Sequence, residues 1–427
     1  MRFSRSRRAF LRAGVAGGAF LSLPASIYRT ALGADVPPSE KVRLGFIGLG
    51  GQGTGNMNAF LKHSHATVAA VCDVDSSHLA KAAGVVEKAT KKAPQAEKDF
   101  RKLLDTKDVD AVVVSTPDHW HALTTVAACA AGKDVYCEKP LTLVIGEGQA
   151  MVAAARKHGR IVQTGSQQRS DARFRQACEL ARNGALGKVH TVKVGLPGPN
   201  FKAPGVPDST PPAELDYEFW LGPAPARPYN EKRVHYLFRF FWDYSGGQQT
   251  NFGAHHLDIA QWGLGMDESG PVSIEATAQF NKEKWFETPE VAKITYTYAN
   301  GVKILCSLGK GGYPGGTTFE GDKGSIFVDR SKITATPPEI LKSTGGDVKL
   351  YVSNNHHGNW LDCIKTRKLP ICDVAIGHRS ATVCHLGNIA VRTGRKIAWD
   401  PAKEQIVGDA EAAKMTTKEY RAPWKLA

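Results

Sequence analysis

The sequence carries eight cysteines (72, 129, 137, 178, 306, 363, 372 and 384) but no CxxC pair and no His/Cys spacing of a metal site. A structural zinc cluster is therefore not expected. Several of the cysteines sit in apolar stretches such as "AAVCDV" and "VAACAAG". A thiol there behaves as a small hydrophobe, so mostly free, buried cysteines are predicted. Long hydrophobic runs are also missing, and no stable membrane span is expected. Nor is there a dense basic run, although the formal net charge is +14. Six of these charges, Arg2, Arg5, Arg7, Arg8, Arg12 and Arg29, stand in the first 34 residues, which hold no acid. The rest is dispersed over the remaining chain, which ranks nucleic acid well behind small molecules as a partner.

What is present describes an ordinary globular chain. With 427 residues, 42% hydrophobic and 22% charged, it has room for two domains with substantial cores. Residues 1–34 read as an export leader: a basic start, a short Ala- and Gly-rich apolar stretch, then small residues before Asp35. The alternative is a basic amphipathic helix. "SRRAFLR", with Arg7–Arg8 followed by Phe10 and Leu11, resembles a twin-arginine signal, and this predicts a periplasmic protein.

"VRLGFIGLGGQGTGNMNAFLK" places an apolar strand, 42–47, before Gly48, Gly50 and Gly53 and a helix pattern after them. In this context the glycines form a dinucleotide turn. The first permits the tight bend, the second lets pyrophosphate approach, and the third lets helix and strand pack closely. The helix N-terminus then offers free N–H groups and the positive end of its dipole to the phosphates. A second strand ends at Asp73, whose carboxylate suits ribose hydroxyls and repels a 2′-phosphate, so NAD is favoured over NADP. Strands at 109–115 and 134–137, each followed by a helix, and "RIVQTG" continue the alternation. The expected fold is α/β: a Rossmann-type doubly wound parallel sheet over residues 35–166, then an α+β domain over 167–427. Thr116-Pro117-Asp118-His119, Glu138-Lys139-Pro140 and Gly165-Ser166-Gln167 fall at strand ends, where the ligand crevice of such a sheet lies.

Beyond residue 184 the alternation gives way to β-rich segments, "VHTVKVGL", "VSIEATAQF", "VAKITYTYA" and "VKILCSL", with Asn300-Gly301 as a two-residue hairpin signal. A largely antiparallel sheet is predicted. The Pro-rich excursion 197–228 is long enough to suggest a rim over the site. "TNFGAHHLDIAQW" reads as a helix from about Ala254. His255 and His256 then point about 100° apart, so the two do not easily share a metal, and none is expected. His255 and Asp258, three apart, share a face and suit an orienting pair.

"VRLGFIGLGGQG", "STPDHWH", "YCEKPLT" and "GSQQRS", in this order and spacing, resemble the Gfo/Idh/MocA family of NAD(P)-dependent sugar oxidoreductases. The resemblance runs from about residue 41 onward and is strongest in its exported, twin-arginine-bearing branch. It implies NAD as cofactor, with Gly48, Gly50, Gly53, Asp73, Thr116, Pro117, His121, Glu138 and Gln167 as its binding residues. It also implies a carbohydrate substrate and a homo-oligomer, dimer or tetramer. The family pattern of Asp, three residues, then His puts His255 on the histidine, but Asn251 stands where many members have Asp. Lys139, Asn251 and His255 are the catalytic candidates. Lys139 binds and polarises the substrate hydroxyl, and His255 acts as general acid–base. Trp242, Asp243, Tyr244 and His256, with Lys139, are the substrate candidates. His356-His357 is read as structural or supporting the site from behind, with substrate contact as the lesser alternative. The implied activity is hydride transfer from a ring hydroxyl carbon. Export favours a runner-up, a redox-neutral glycoside hydrolase working by oxidation, elimination, water addition and re-reduction. A cofactor-bearing binding protein without turnover is the outsider.

Overall fold

The computed structural model describes residues 38–201 and 204–426. The leader proposed for residues 1–34 lies outside them. Strand β1 (Val42–Ile47) opens the chain and leads through the glycine turn into helix α1 (Gly51–Leu61). Then follow β2 (Ala66–Cys72), α2 (Ser76–Thr90), β3 (Gln95–Glu97), α3 (Phe100–Leu104), β4 (Ala111–Val114), α4 (Asp118–Ala130), β5 (Asp134–Cys137), α5 (Ile145–Lys157) and β6 (Val162–Thr164). The six strands form one parallel sheet in the order β3-β2-β1-β4-β5-β6. Helices cover both faces, so β4 and β5 are buried along their whole length, as their uninterrupted apolar runs require. Because β1 pairs with β2 on one side and β4 on the other, the carboxyl ends of these strands border the crevice at the point where the strand order reverses.

The second region begins with α6 (Ala172–Arg182) and β7 (Val189–Leu196). A long excursion carrying the short helix α7 (Tyr217–Leu221) leads to α8 (Gly247–Asn251) and α9 (Gly253–Leu264). Strands β8 (Ser273–Gln279), β9 (Val291–Thr297), β10 (Lys303–Leu308), β11 (Gly316–Gly321), β12 (Gly324–Val328) and β13 (Ile333–Thr336) follow. Helices α10 (His356–Thr366) and α11 (Val374–Thr393), strands β14 (Ile397–Asp400) and β15 (Gln405–Val407), and α12 (Ala410–Lys414) complete it. The nine-stranded sheet runs β13-β12-β11-β7-β10-β9-β8-β14-β15 and is antiparallel except for the β7–β10 pair. Its inner face packs on α6, α9 and α11 in a core that includes Phe174, Trp262, Tyr296 and Phe319.

The hairpin between β9 and β10 forms with a wider loop than the Asn-Gly pair suggests. Tyr298 N donates to Val302 O (2.9 Å) and Gly301 N to Tyr298 O (3.0 Å), leaving three residues, Ala299 to Gly301, at the tip. Gly301, at φ +84°, supplies the left-handed residue that this loop length requires.

Two late segments return to the nucleotide-binding region. Helix α10 inserts Trp360, Leu361 and Cys363 into the core built from β1, β2 and α1. Its His357 ring lies 4.6 Å from Phe60 and 5.4 Å from Tyr136, while His356 Nε2 faces Thr164 O at 2.9 Å. Both histidines are therefore packing and hydrogen-bonding groups. The C-terminal tail lays Trp424 against Phe219 and Trp120. All eight cysteines are buried free thiols, and no helix among the described residues is long and apolar enough to cross a membrane.

Candidate active site

The glycine turn is built for a phosphate group. Gly48 has φ +87°, and a Cβ there would lie 2.7 Å from the backbone of Ser115 and Thr116. A Cβ on Gly53 would come 1.9 Å from Gly48 O, so only glycine lets α1 start this close to β1. Around Gly50, by contrast, there is open space, and no side chain caps the N-terminus of α1. An approachable backbone in front of uncapped amides is what a pyrophosphate needs. At the end of β2, Asp73 accepts from Leu49 N (2.6 Å) and Asp75 N (2.9 Å), which fixes its carboxylate at the crevice wall. Burial raises its pKa against those two amide bonds.

A cavity of about 520 Å³ runs from this turn along the strand ends. Its walls include Gly48, Gly50, Asp73, Thr116, Pro117, His121, Glu138 and Lys139, together with Trp220, His235 and Arg239 from the excursion after β7. Eight residues expected from sequence thus border one space. His121 bridges two carbonyls, Thr116 O (2.9 Å) and Pro140 O (2.8 Å), tying the β4 turn to the β5 turn. Glu138 accepts from Gln52 Nε2 and Asn56 Nδ2, each at 3.0 Å, and from Lys139 N at 3.1 Å. Its carboxylate is occupied in anchoring the β5 end to α1. The Lys139 side chain is thereby left free to turn the other way.

Lys139 Nζ donates to Asn251 Oδ1 (2.9 Å) and Asn251 O (3.2 Å) at the end of α8. Asn251 Nδ2 donates in turn to Gln248 Oε1 (2.9 Å), which holds the amide with its oxygen towards the lysine. Burial pushes the Lys139 pKa down to about 8; the Glu138 charge opposes this and Arg239 adds to it. The hydrogen-bond partner is a neutral amide, which offsets this burial less than a carboxylate in contact with Nζ would. His255 is buried on the next turn, with Nδ1 free of any protein partner. Burial, then the Lys139 charge, holds its imidazole well below the usual range, so it is neutral. Asn251 and His255 stand behind Lys139 and do not themselves line the cavity.

Other expected residues lie elsewhere. The orienting pair His255–Asp258 does not form. Asp258 is fully buried and is claimed by Arg169, which donates to it at 2.8 Å through both Nε and Nη2 and also pairs with Asp267. A buried carboxylate needs a charged partner more than a neutral imidazole does. Gln167 faces away from the cavity towards the Tyr136 hydroxyl (3.4 Å), because the 3-10 turn Gln167–Ser170 carries it round. Trp242 lies under Arg392, Asp243 pairs with Arg227 (2.9 Å), and Tyr244 is buried against Trp220 and His119. None of these three borders the cavity. His256 lines a separate, more open cavity with Phe252, Asp329 and Arg330. The run "HYLFRF" (235–240), which supplies His235, Tyr236, Phe238 and Arg239 to this cavity, was missed; its signal was alternating aromatic and basic residues close before α8 and α9.

A phosphate-receiving glycine turn, an acid on the second strand and a lysine of depressed pKa together define a nicotinamide-dinucleotide oxidoreductase. The chain belongs to the Gfo/Idh/MocA family: residues 42–166 match the oxidoreductase family's NAD-binding Rossmann fold and residues 186–426 its C-terminal alpha/beta domain. It is 31% identical to myo-inositol 2-dehydrogenase of Thermotoga maritima over 309 residues, 72% of this chain and 80% of that protein. It is also 31% identical to a glycosyl hydrolase family 109 protein of Shewanella sp., but over 33% of this chain and 35% of that one. The fold superimposes on aldose-aldose oxidoreductase of Caulobacter crescentus with a TM-score of 0.64 and 22% identity, covering 84% of this chain and 99% of that one.

Proposed function

We propose that this NAD-binding oxidoreductase acts on a sugar or sugar derivative, taking hydride from a ring carbon that bears a hydroxyl. The observation that carries the reading is Lys139 at the cavity wall, with its ammonium on a neutral amide and its pKa near 8. When bound, NAD supplies the hydride acceptor. Gly48, Gly50 and Gly53 would receive its phosphates and Asp73 its ribose. Lys139 binds the substrate hydroxyl through Nζ and takes its proton in the amine form. Asn251 keeps Nζ in place, and His255, whose Nδ1 has no protein partner, is the second acid–base candidate. The polyol and aldose relatives support a carbohydrate substrate. We extend the proposal to export through the twin-arginine-like leader and to a homo-oligomer. The test is NADH formation across a panel of free sugars and sugar derivatives, with Lys139→Ala as control. Absence of turnover on every substrate would return the protein to a binding role.

A second reading, redox-neutral glycoside hydrolysis, is supported by the partial match to the family 109 glycosyl hydrolases and by the leader. Release of aglycone from a glycoside without net NADH would select it.

A further inference from the structure

At the Asp73 end of the cavity stands a constellation that hydride transfer does not use. Asp75 is buried and caps α2: its Oδ1 accepts from Ser77 N (2.8 Å) and His78 N (3.1 Å). The other oxygen, Oδ2, lies 3.9 Å from His235 Nε2. His78, in the first turn of α2, brings Nδ1 to 3.9 Å from Asp73 Oδ2. The two imidazole rings meet edge to face at 5.3 Å. One donor atom from each of Asp75, His78 and His235 lies within 4.8 Å of the others.

Two imidazoles and a carboxylate are the donors that zinc and its divalent neighbours prefer. Tetrahedral bonds of about 2.1 Å place donors about 3.4 Å apart, so closure needs movement of about 1 Å. Both rings have room for it, with side-chain exposures of 35% for His78 and 44% for His235. His235 also sits at φ +49°, a conformation costly for a residue with a Cβ and characteristic of sites where geometry serves a function.

The three residues come from two segments already in contact. Residues 204–241 form a strap over the crevice, and its backbone joins the β2–α2 turn. Ser76 N donates to Glu214 O (2.9 Å), Asp216 N donates to Val74 O (3.1 Å), and Asp75 bridges Leu215. Leu215, Phe219, Trp220 and Tyr236 of this strap face the cofactor cavity.

We propose that Asp75, His78 and His235 form a divalent transition-metal site that latches the strap to the β2–α2 turn beside the dinucleotide. A bound ion would join the strap to the turn through side chains as well as backbone, so the cofactor leaves only after the latch opens. No sequence spacing reveals the site, because His235 is remote in the chain from Asp75 and His78.

The experiment uses the full chain, loaded with NAD and stripped of metal by chelation. Calorimetry with Zn²⁺ is expected to show about one equivalent bound. His78→Ala and His235→Ala should each weaken it by at least about tenfold, the range that loss of a supporting metal contact already spans. Co²⁺ should give tetrahedral visible absorption in the wild type, lost in both variants. Zn²⁺ should also slow NAD release in the wild type and not in His235→Ala. Both rings are partly exposed, so the variants are expected to keep their circular dichroism. Equal Zn²⁺ affinity in wild type and the double variant would overturn the site. NAD release that is insensitive to Zn²⁺ while both variants loosen NAD would overturn the latch, and would make the imidazoles packing partners of the adenosine.

Discussion

Asn251 is the hydrogen-bond partner of the group that titrates. Burial lowers the Lys139 pKa to about 8 against the Glu138 charge, and the Asn251 amide brings no further negative charge to Nζ. If the free amine is the base, kcat/KM for substrate oxidation should rise with pH through about 8 and then level. Asn251→Asp puts a carboxylate on the ammonium, favours the charged form, and should move that rise upward by about one pH unit or more. A rise unmoved by the substitution would show that Lys139 is not the titrating base. His255→Ala should lower turnover by about 10²–10⁴-fold, the usual contribution of an acid–base group, while His256→Ala has a mild effect, since its side chain opens onto a different cavity. Similar losses for the two would remove His255 from the mechanism. Asp73→Ala should weaken NAD more than NADP, measured as dissociation constants; equal weakening would mean that its carboxylate serves only Leu49 N and Asp75 N.

At the scale of elements, Arg169 is the fastener of the site. It stands in the turn after β6 and, wholly buried, holds Asp258 of α9, while Ser380 of α11 donates to the same carboxylate. Three segments distant in the chain thus meet at one charge. Arg169→Met leaves Asp258 buried without a counter-ion and should cost about 3–5 kcal/mol in chemical denaturation. Loss of less than about 1 kcal/mol would show that water replaces the guanidinium. Helix spacing placed His255 and Asp258 on one face correctly, yet it carries no information about Arg169, whose charge outweighs the neutral imidazole as a partner. The same limit explains Trp242, Asp243 and Tyr244: their chemistry suits a sugar, but Arg392, Arg227 and Trp220 had already engaged them.

At the scale of the molecule, the strap covers the crevice and the C-terminal tail packs against the strap. Trp424 stacks on Phe219 of α7 and meets Trp120 of α4, so the end of the chain supports the strap from behind. Such a cover favours slow cofactor exchange. Protein purified without added nucleotide should carry about one equivalent of NAD(H), as extraction and absorbance would show, and should turn over without added cofactor if one substrate re-reduces what another oxidises. Retention through purification calls for a nanomolar-class constant, on the order of −12 kcal/mol. Nucleotide-free protein that depends strictly on added NAD would sink this prediction and, with it, the proposal that a loaded enzyme is exported.

The parallel sheet, the glycine turn, Asp73 and the strand-end positions of Thr116, Glu138 and Lys139 followed from sequence because each depends on neighbours within a few residues: apolar runs, turn glycines and the step from strand to helix. The antiparallel second sheet was legible for the same reason, although its β9–β10 loop is one residue longer than the Asn-Gly pair implied. What tertiary structure alone decided was partnership. Whether Lys139 meets Glu138 or Asn251, whether Asp258 serves His255 or Arg169, and whether His235 reaches Asp75 all turn on which distant charges share a buried space. Buried polar groups take the partner that best offsets their lost hydration, and that partner is set by packing between segments rather than by spacing along the chain.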